Sequence, residues 1–394
     1  MEPLKGIRIV EVTTNASGPL ASGLLADQGA DVIRLETLGS GDPSRHVGGV
    51  RGGFTGYNLY LNRNKRSVAV DLKNPAIRPA LEALIKTADV FVQNSRPGAL
   101  DRHGYGYADL HKINPKLIYV SISGYGADGP GSENRVYDPV IQAVSGFAIN
   151  QVDADGNPQL VKTIVSDKIA AYTAAQAISS ALFARERGQL QGHHLEVSML
   201  NASLSFLWAD MFWNDSFVGE EGVQRKPLLA DFYRIIKSGD GFITCIVVGD
   251  EEFKGACRAL ECESLLDDER FTTLSGRFAN YGPLLEEFEK SALHYPSDAL
   301  IARLDADGVP CAKVNSRAQV FTDPRVVHGG CIIEYEHPAA GRLRQARPPV
   351  IVEGKAAREP TPAPALGQHT DEVLLSVGCS AAEIATWRAA GVIG

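Results

Sequence analysis

Residues Gly6–Val12 read GIRIVEV, residues 17–30 read SGPLASGLLADQGA, and residues Asp31–Glu36 read DVIRLE. Two short runs rich in Ile and Val flank a small-residue helix that stops near Gly29, which is the signature of a β-α-β unit. The rhythm continues through SVAVDL (Ser67–Leu72), a helix over Pro75–Ala88, DVFVQN (Asp89–Asn94) and LIYVSIS (Leu117–Ser123). Strands that alternate with helices predict an α/β fold, a doubly wound, Rossmann-like parallel sheet. Ligands of such sheets collect outside the carboxyl ends of the strands. Thr13–Gly18, Thr37, Asn94–Arg96 and Gly124–Gly129 therefore fall on one rim.

The last of these segments, SGYGADGPG (Ser123–Gly131), contains Gly124-x-Gly126-x-x-Gly129. A dinucleotide fingerprint needs a helix that opens at once and an acidic residue about 20 positions on. Here Pro130, Gly131, Ser132, Glu133 and Asn134 follow, a loop-forming run, so the segment reads as a rim loop and a nicotinamide or flavin cofactor is disfavoured. The wider composition is that of an ordinary globular chain: 394 residues, 44% hydrophobic and 22% charged, with net charge −8. That charge argues against a sequence-blind nucleic-acid binder. No apolar run approaches the roughly 18 residues of a membrane span, and the opening MEPLKGIRIVEV lacks a long apolar signal region, so no membrane association and a cytoplasmic location are expected. The six cysteines form no CxxC pair and the nine histidines no HExxH or HxH, so no metal site is expected. His193 and His194 read as exposed residues of a turn after Gly192.

Farther along, VSDKIAAYTAAQAISSALFARERGQ carries Ala, Ile and Leu from Ile169 to Phe183, then Arg185, Arg187 and Gly188. This predicts a helix of about 20 residues that ends at the glycine, with a surface small enough to pack closely on several sides. Asp167 lies in its first turn, where the helix dipole and free N–H groups favour an anion. The chain turns polar after Asp215, and GFITCIVV (Gly241–Val248) opens a smaller module. The expected organisation is a large α/β domain over 1–215, a small α+β domain over 225–325, and a proline-rich link with C-terminal helices over 326–394, the last helix carrying a Ser380/Glu383 capping box.

GADVIRLE followed by Gly41-Asp42, NRNKRSVAVDLK, PGALDRHGYGY, NPKLIYVSISGYGADGP, GVPCAKVNS and LGQHTDEVLLSVGCSAAEIATWRAAGVI together resemble the class III coenzyme A transferases, the formyl-CoA transferase and carnitine/bile-acid CoA-transferase family. The resemblance implies exchange of CoA between two carboxylic acids through a covalent aspartyl intermediate, by an interlocked homodimer without a permanently bound cofactor. It places the nucleophile on Asp167. It places CoA contacts on Ala16, Ser17, Thr37, Val70, Asp71, Leu72, Lys73, Asn94, Ser95, Arg96, Arg102 and Arg135. Thr37 stands where other members often carry an arginine. The segment EEGVQRKPLLADFYR has only Gly222 where the formyl-CoA branch has a glycine-rich loop, so oxalate is not the favoured acceptor. Two alternatives remain: an α-methylacyl-CoA racemase of the same fold, although Tyr137-Asp138 replaces its His-Asp pair, and a non-catalytic CoA-binding protein. Asp138 and Asp250 are candidate polar helpers.

Overall fold

A computed structural model describes residues 2–153, 155–219, 221–356 and 358–394; Glu220, at the head of the glycine-poor segment, lies outside them. Six strands form one parallel sheet: β1 (Arg8–Val12), β2 (Asp31–Glu36), β3 (Lys65–Ala69), β4 (Val90–Gln93), β5 (Ile118–Ser123) and β6 (His194–Ser198). Their order is β3-β2-β1-β4-β5-β6, with every pairing parallel. The connections are α1 (Ser17–Ala26), α2 (Gly56–Asn62), α3 (Arg78–Lys86), α4 (Tyr107–Ile113), and finally α5 (Asp138–Ser145) with α6 (Val165–Glu186).

Both faces of the sheet are covered, which is why its strands read as continuous apolar runs. On one face Leu20, Ala21 and Leu25 of α1 meet Ala170, Ala174, Ile178 and Leu182 of α6 over Ile9, Val92 and Val120. Alanine at this contact (Ala21, Ala170, Ala174) lets α1 and α6 approach closely. On the other face α3 (Leu81, Leu84, Ile85) and Leu110 of α4 pack over Val10, Phe91 and Tyr119, joined by Val373 and Ile384 of the C-terminal helices Thr370–Ser376 and Ala381–Ala389. The chain winds outward in two directions from β1 and β4. Between their carboxyl ends lies the switch point where ligands of such sheets bind.

The chain divides into two compact units, Met1–Ala209 with Gly330–Gly394, and Asp210–Gly329. The second is α+β: the antiparallel strands Ile236–Lys237, Phe242–Cys245 and Cys311–Lys313 carry a core of Phe253, Phe271, Leu284, Phe288, Leu300 and Leu304. Three features depart from the sequence reading; one is the strand expected over Ser67–Leu72, which ends at Ala69. His194 opens β6 instead of lying in an exposed turn: its ring stacks on Tyr107 at 5.0 Å and its Nε2 lies 2.8 Å from Ser121 Oγ. The segment before the proline-rich link forms a hairpin, Ile332–His337 with Gly341–Ala346, in which Glu334, Glu336, Arg342 and Arg344 alternate with Tyr335 and Leu343, a strand period that the sequence reading passes over.

Candidate active site

Helix α6 begins at Val165 without a side-chain cap of its own; Ile164 precedes it. A neighbouring helix supplies the missing acceptor. Asp138, the first residue of α5 and 2% exposed, takes the Asp167 N–H on Oδ2 at 3.0 Å, while its other oxygen accepts from Gln142 Nε2. Gln142 Oε1 in turn accepts the Val161 N–H at 2.8 Å. The first turn of α5 thereby fixes the first turn of α6 and the direction in which Asp167 points.

Ser17, the first residue of α1, lines the same cleft as Asp167, and its backbone N–H and hydroxyl act to hold the Asp167 carboxyl down. Helix α1 has no acidic residue in its own first turn, so Asp167 supplies the anion that a helix N-terminus attracts. Burial and then the adjacent Asp138 push the Asp167 carboxyl up to about 6, against the Ser17 hydroxyl and N–H, which act to hold it down. At neutral pH the group is an ionised but destabilised carboxylate, the state a nucleophile needs. Tyr57 of α2 faces the same group: burial, then the charges of Asp167, Asp42 and Asp138, push its phenol up to about 12. It stays neutral and keeps its proton.

Asp167 lies in a cleft of about 280 Å³ at the switch point. Thr14, Asn15 and Ser17 line it from the end of β1, Asn94, Ser95 and Arg96 from β4, Ser123 and Gly124 from β5, Arg135 and Tyr137 from the loop that follows, and Met199 from the end of β6. Gly124 lets that loop fold back, since a Cβ there would lie 2.6 Å from Val136 Cγ2. The SGYGADGP segment is a rim loop, and the next helix does not begin until Asp138.

Of the residues singled out from sequence, Ser17, Asn94, Ser95, Arg96, Arg135 and Asp167 are brought together here. Ala16 is buried beside them as the residue preceding α1. The others lie outside the cleft. Thr37 follows β2 and donates to Gly41 O at 3.3 Å. Val70, Asp71, Leu72 and Lys73 follow β3; Val70 is buried and bridged to Ile393, and the Asp71 N–H is held by Val392 O. Arg102 lies in the turn after β4, its Nη1 near Gly98. All of these still follow carboxyl ends of strands, and the rim from β3 to β5 spans four strand spacings, about 19 Å. Asp250 belongs to the second unit, where it is ion-paired to Arg277. Tyr57 and Met199 were not legible as site residues, because only the tertiary fold brings them near Asp167, whereas Tyr137, read from sequence only as the replacement of a histidine, also lines the cleft. Among the described residues no group of three or more His, Cys, Asp or Glu is arranged to hold a metal ion, and no helix is long and apolar enough to cross a membrane.

Residues 4–370 match the model of CoA-transferase family III. The chain belongs to that family. It is 31% identical over 381 residues to the human succinyl-CoA:glutarate CoA-transferase, covering 96% of this chain and 86% of that protein. It is equally 31% identical over 382 residues to the succinate–glutarate CoA-transferase of Agrobacterium fabrum, covering 94% and 95%. The crystal structure of a CaiB/BaiF family protein from Brucella suis matches with a TM-score of 0.82 and 29% identity, covering 95% of this chain and 99% of that one. As a family III member the protein is a transferase that acts on acyl-CoA, and the mixed α/β fold with its parallel sheet is the fold of that family.

Proposed function

We propose that this transferase moves CoA from an acyl-CoA donor to a free carboxylic acid with Asp167 as covalent nucleophile. The observation that supports it is the Asp167 carboxylate itself, lining the switch-point cleft together with Ser17 at the N-terminus of α1. In the first step a carboxylate oxygen attacks the thioester carbonyl carbon. The C–S bond breaks, CoA leaves as thiolate, and an acyl-aspartyl anhydride remains. The thiolate then attacks the aspartyl carbonyl, releasing the donor acid and leaving an aspartyl-CoA thioester. The acceptor carboxylate repeats the sequence in reverse: it forms an anhydride with Asp167, frees the thiolate, and is attacked by it at its own carbonyl. No net proton is transferred. A carboxylate suits this chemistry because its anhydride lies close in energy to a thioester, so every step is reversible.

Each developing oxyanion needs donors that are already in place. The Ser17 N–H and hydroxyl and the neutral Tyr57 phenol are donors of this chain near the reacting carboxylate. CoA is long, anionic and flexible, so its site is best built along the rim, with Arg96 and Arg135 in the cleft and Lys73 and Arg102 farther out as phosphate partners. Ala16, Thr37, Val70, Asp71, Leu72, Asn94 and Ser95 would then offer backbone and polar contacts. The acting species is a homodimer in this proposal. Exposed apolar side chains on α6 (Tyr172, Phe183) and on Phe206 of the helix Met199–Met211 support a covered face.

The test is a transfer assay over a panel of acyl-CoA donors and free acids that begins with succinate and glutarate, the acids named by the two relatives, and includes oxalate. Asp167→Asn keeps the shape and removes the charge, and it is expected to lower kcat by at least about 10³-fold, since no covalent path remains. Near wild-type transfer by Asp167→Asn would overturn the assignment.

A further inference from the structure

Beneath the Thr13–Ser17 loop lies a set of buried charges that the transfer steps do not use. Glu11 of β1, Arg34 and Glu36 of β2, Asp42 of the loop after β2, and Lys65 of β3 are each 4% exposed or less. Asp42 is the centre of the set. Its Oδ2 accepts both Arg34 Nη2 at 2.8 Å and the backbone N–H of Asn15 at 2.9 Å, and its Oδ1 accepts the Ser44 N–H at 2.6 Å. Arg34 Nη2 also donates to Thr13 O at 3.2 Å, and Thr13 Oγ1 donates to Glu11 Oε2 at 3.0 Å. Lys65 Nζ, bonded to Glu11 Oε1 at 2.9 Å, reaches Pro19 O at 2.8 Å in the first turn of α1.

These contacts converge on one segment. Asn15 is held in the left-handed region at φ 61°, a conformation non-glycine residues adopt only when their surroundings impose it. Asn94 secures Thr14 on both sides, accepting its N–H and donating to its carbonyl, each at 2.8 Å. Two residues beyond Asn15 stands Ser17, which lines the cleft together with Asp167 and whose N–H and hydroxyl hold the Asp167 carboxyl down.

We propose that Asp42 is a positioning residue: with Arg34 it holds the Thr13–Ser17 loop in the turn that aims the Ser17 donors at Asp167. The assignment deepens the proposed function and rests on Asp167 being the nucleophile. A charged, buried anchor suits this task because its bonds are strong and its geometry is fixed on three sides.

The experiment measures kcat for CoA transfer against pH in the wild type, Asp42→Ala and Asp42→Asn. In the wild type the rate falls as Asp167 takes up its proton below about 6. The groups that face Asp167 are Ser17 of α1, Tyr57 of α2 and Asp138 of α5, with Arg96, Arg135 and Tyr137 lining the same cleft; the variants keep all of these side chains, and although they remove the Asp42 charge that helps to raise the Tyr57 phenol, burial and Asp167 keep it protonated. Asp42→Ala releases the loop, so the Ser17 donors no longer hold the Asp167 carboxyl down. The acid limb is expected to move to higher pH, with kcat at pH 7.5 lower by about 10- to 100-fold. Asp42→Asn keeps one oxygen, which Arg34 draws to the Asn15 side, so its limb is expected to move less than that of Asp42→Ala. A role confined to stability would lower the amount of active enzyme without moving the limb. If Asp42→Ala does not fold, Arg34→Lys keeps a buried charge while losing the fork to Thr13 O and Asp42, and the same upward shift is expected. A folded Asp42→Ala or Arg34→Lys enzyme with the wild-type limb and rate would overturn the proposal. If Asp167→Asn is active, or the wild type shows no acid limb, the proposed function has failed instead, whatever Asp42 does.

Discussion

Asp167 is where local structure and chemistry conflict. Its carboxyl titrates near 6 in the folded protein against an ordinary 3.8, so between these values the native state binds more protons than the unfolded chain. Stability attributable to this group therefore falls as pH rises from about 4 to about 6, and it stays low above that. The gap between the two values corresponds to at most about 3 kcal/mol. Asp167→Asn removes the buried charge while keeping an acceptor for Ser17. It is expected to raise the thermal unfolding temperature at pH 8, with the gain shrinking toward zero near pH 4. Thermal scans of both proteins at the two pH values check this; a gain that does not change with pH would show that burial does not destabilise the charge. Asp138 contributes in both directions, since its oxygen fixes the Asp167 N–H while its charge, second to burial, raises the carboxyl.

At the level of elements, much of the fold was legible. β1, β2, β4 and β5 are buried on both faces, so their Ile and Val runs stand out without any alternation to decode. Helix α6 was legible because alanine saturates its buried positions and Gly188, at φ 69°, ends it in the left-handed conformation that favours glycine. The apolar run of SVAVDL carries the expected strand through Leu72, but β3 ends at Ala69 and Val70 bridges to Ile393 instead. β6 escapes the sequence reading although HLEVS alternates polar and apolar residues as an edge strand does, because His193 and His194 after Gly192 read as a turn. Asp167 itself could be singled out by its place in a first turn together with the family resemblance. Tyr57 and Asp42 could not, since one meets Asp167 and the other the Thr13–Ser17 loop only in the folded chain, and no spacing records that.

For the whole molecule, the large unit is assembled from both ends of the chain, with the C-terminal helices sealing a sheet that begins at Arg8. A homodimer of twice 42.3 kDa is expected in sedimentation, and one whose subunits interlock should not dissociate on dilution to nanomolar concentration; a monomer at micromolar concentration would contradict the proposed assembly. The central claim is the covalent path through one carboxylate. Intact-protein mass spectrometry of the enzyme mixed with an active acyl-CoA donor, without acceptor acid, addresses it directly. The expected result is a subunit heavier by one CoA less one water, lost on addition of acceptor or hydroxylamine, mapped by peptide analysis to Asp167, and absent in Asp167→Asn. An enzyme that turns over without any adduct under these conditions, or one whose adduct maps to Asp138 or another residue, would contradict the account.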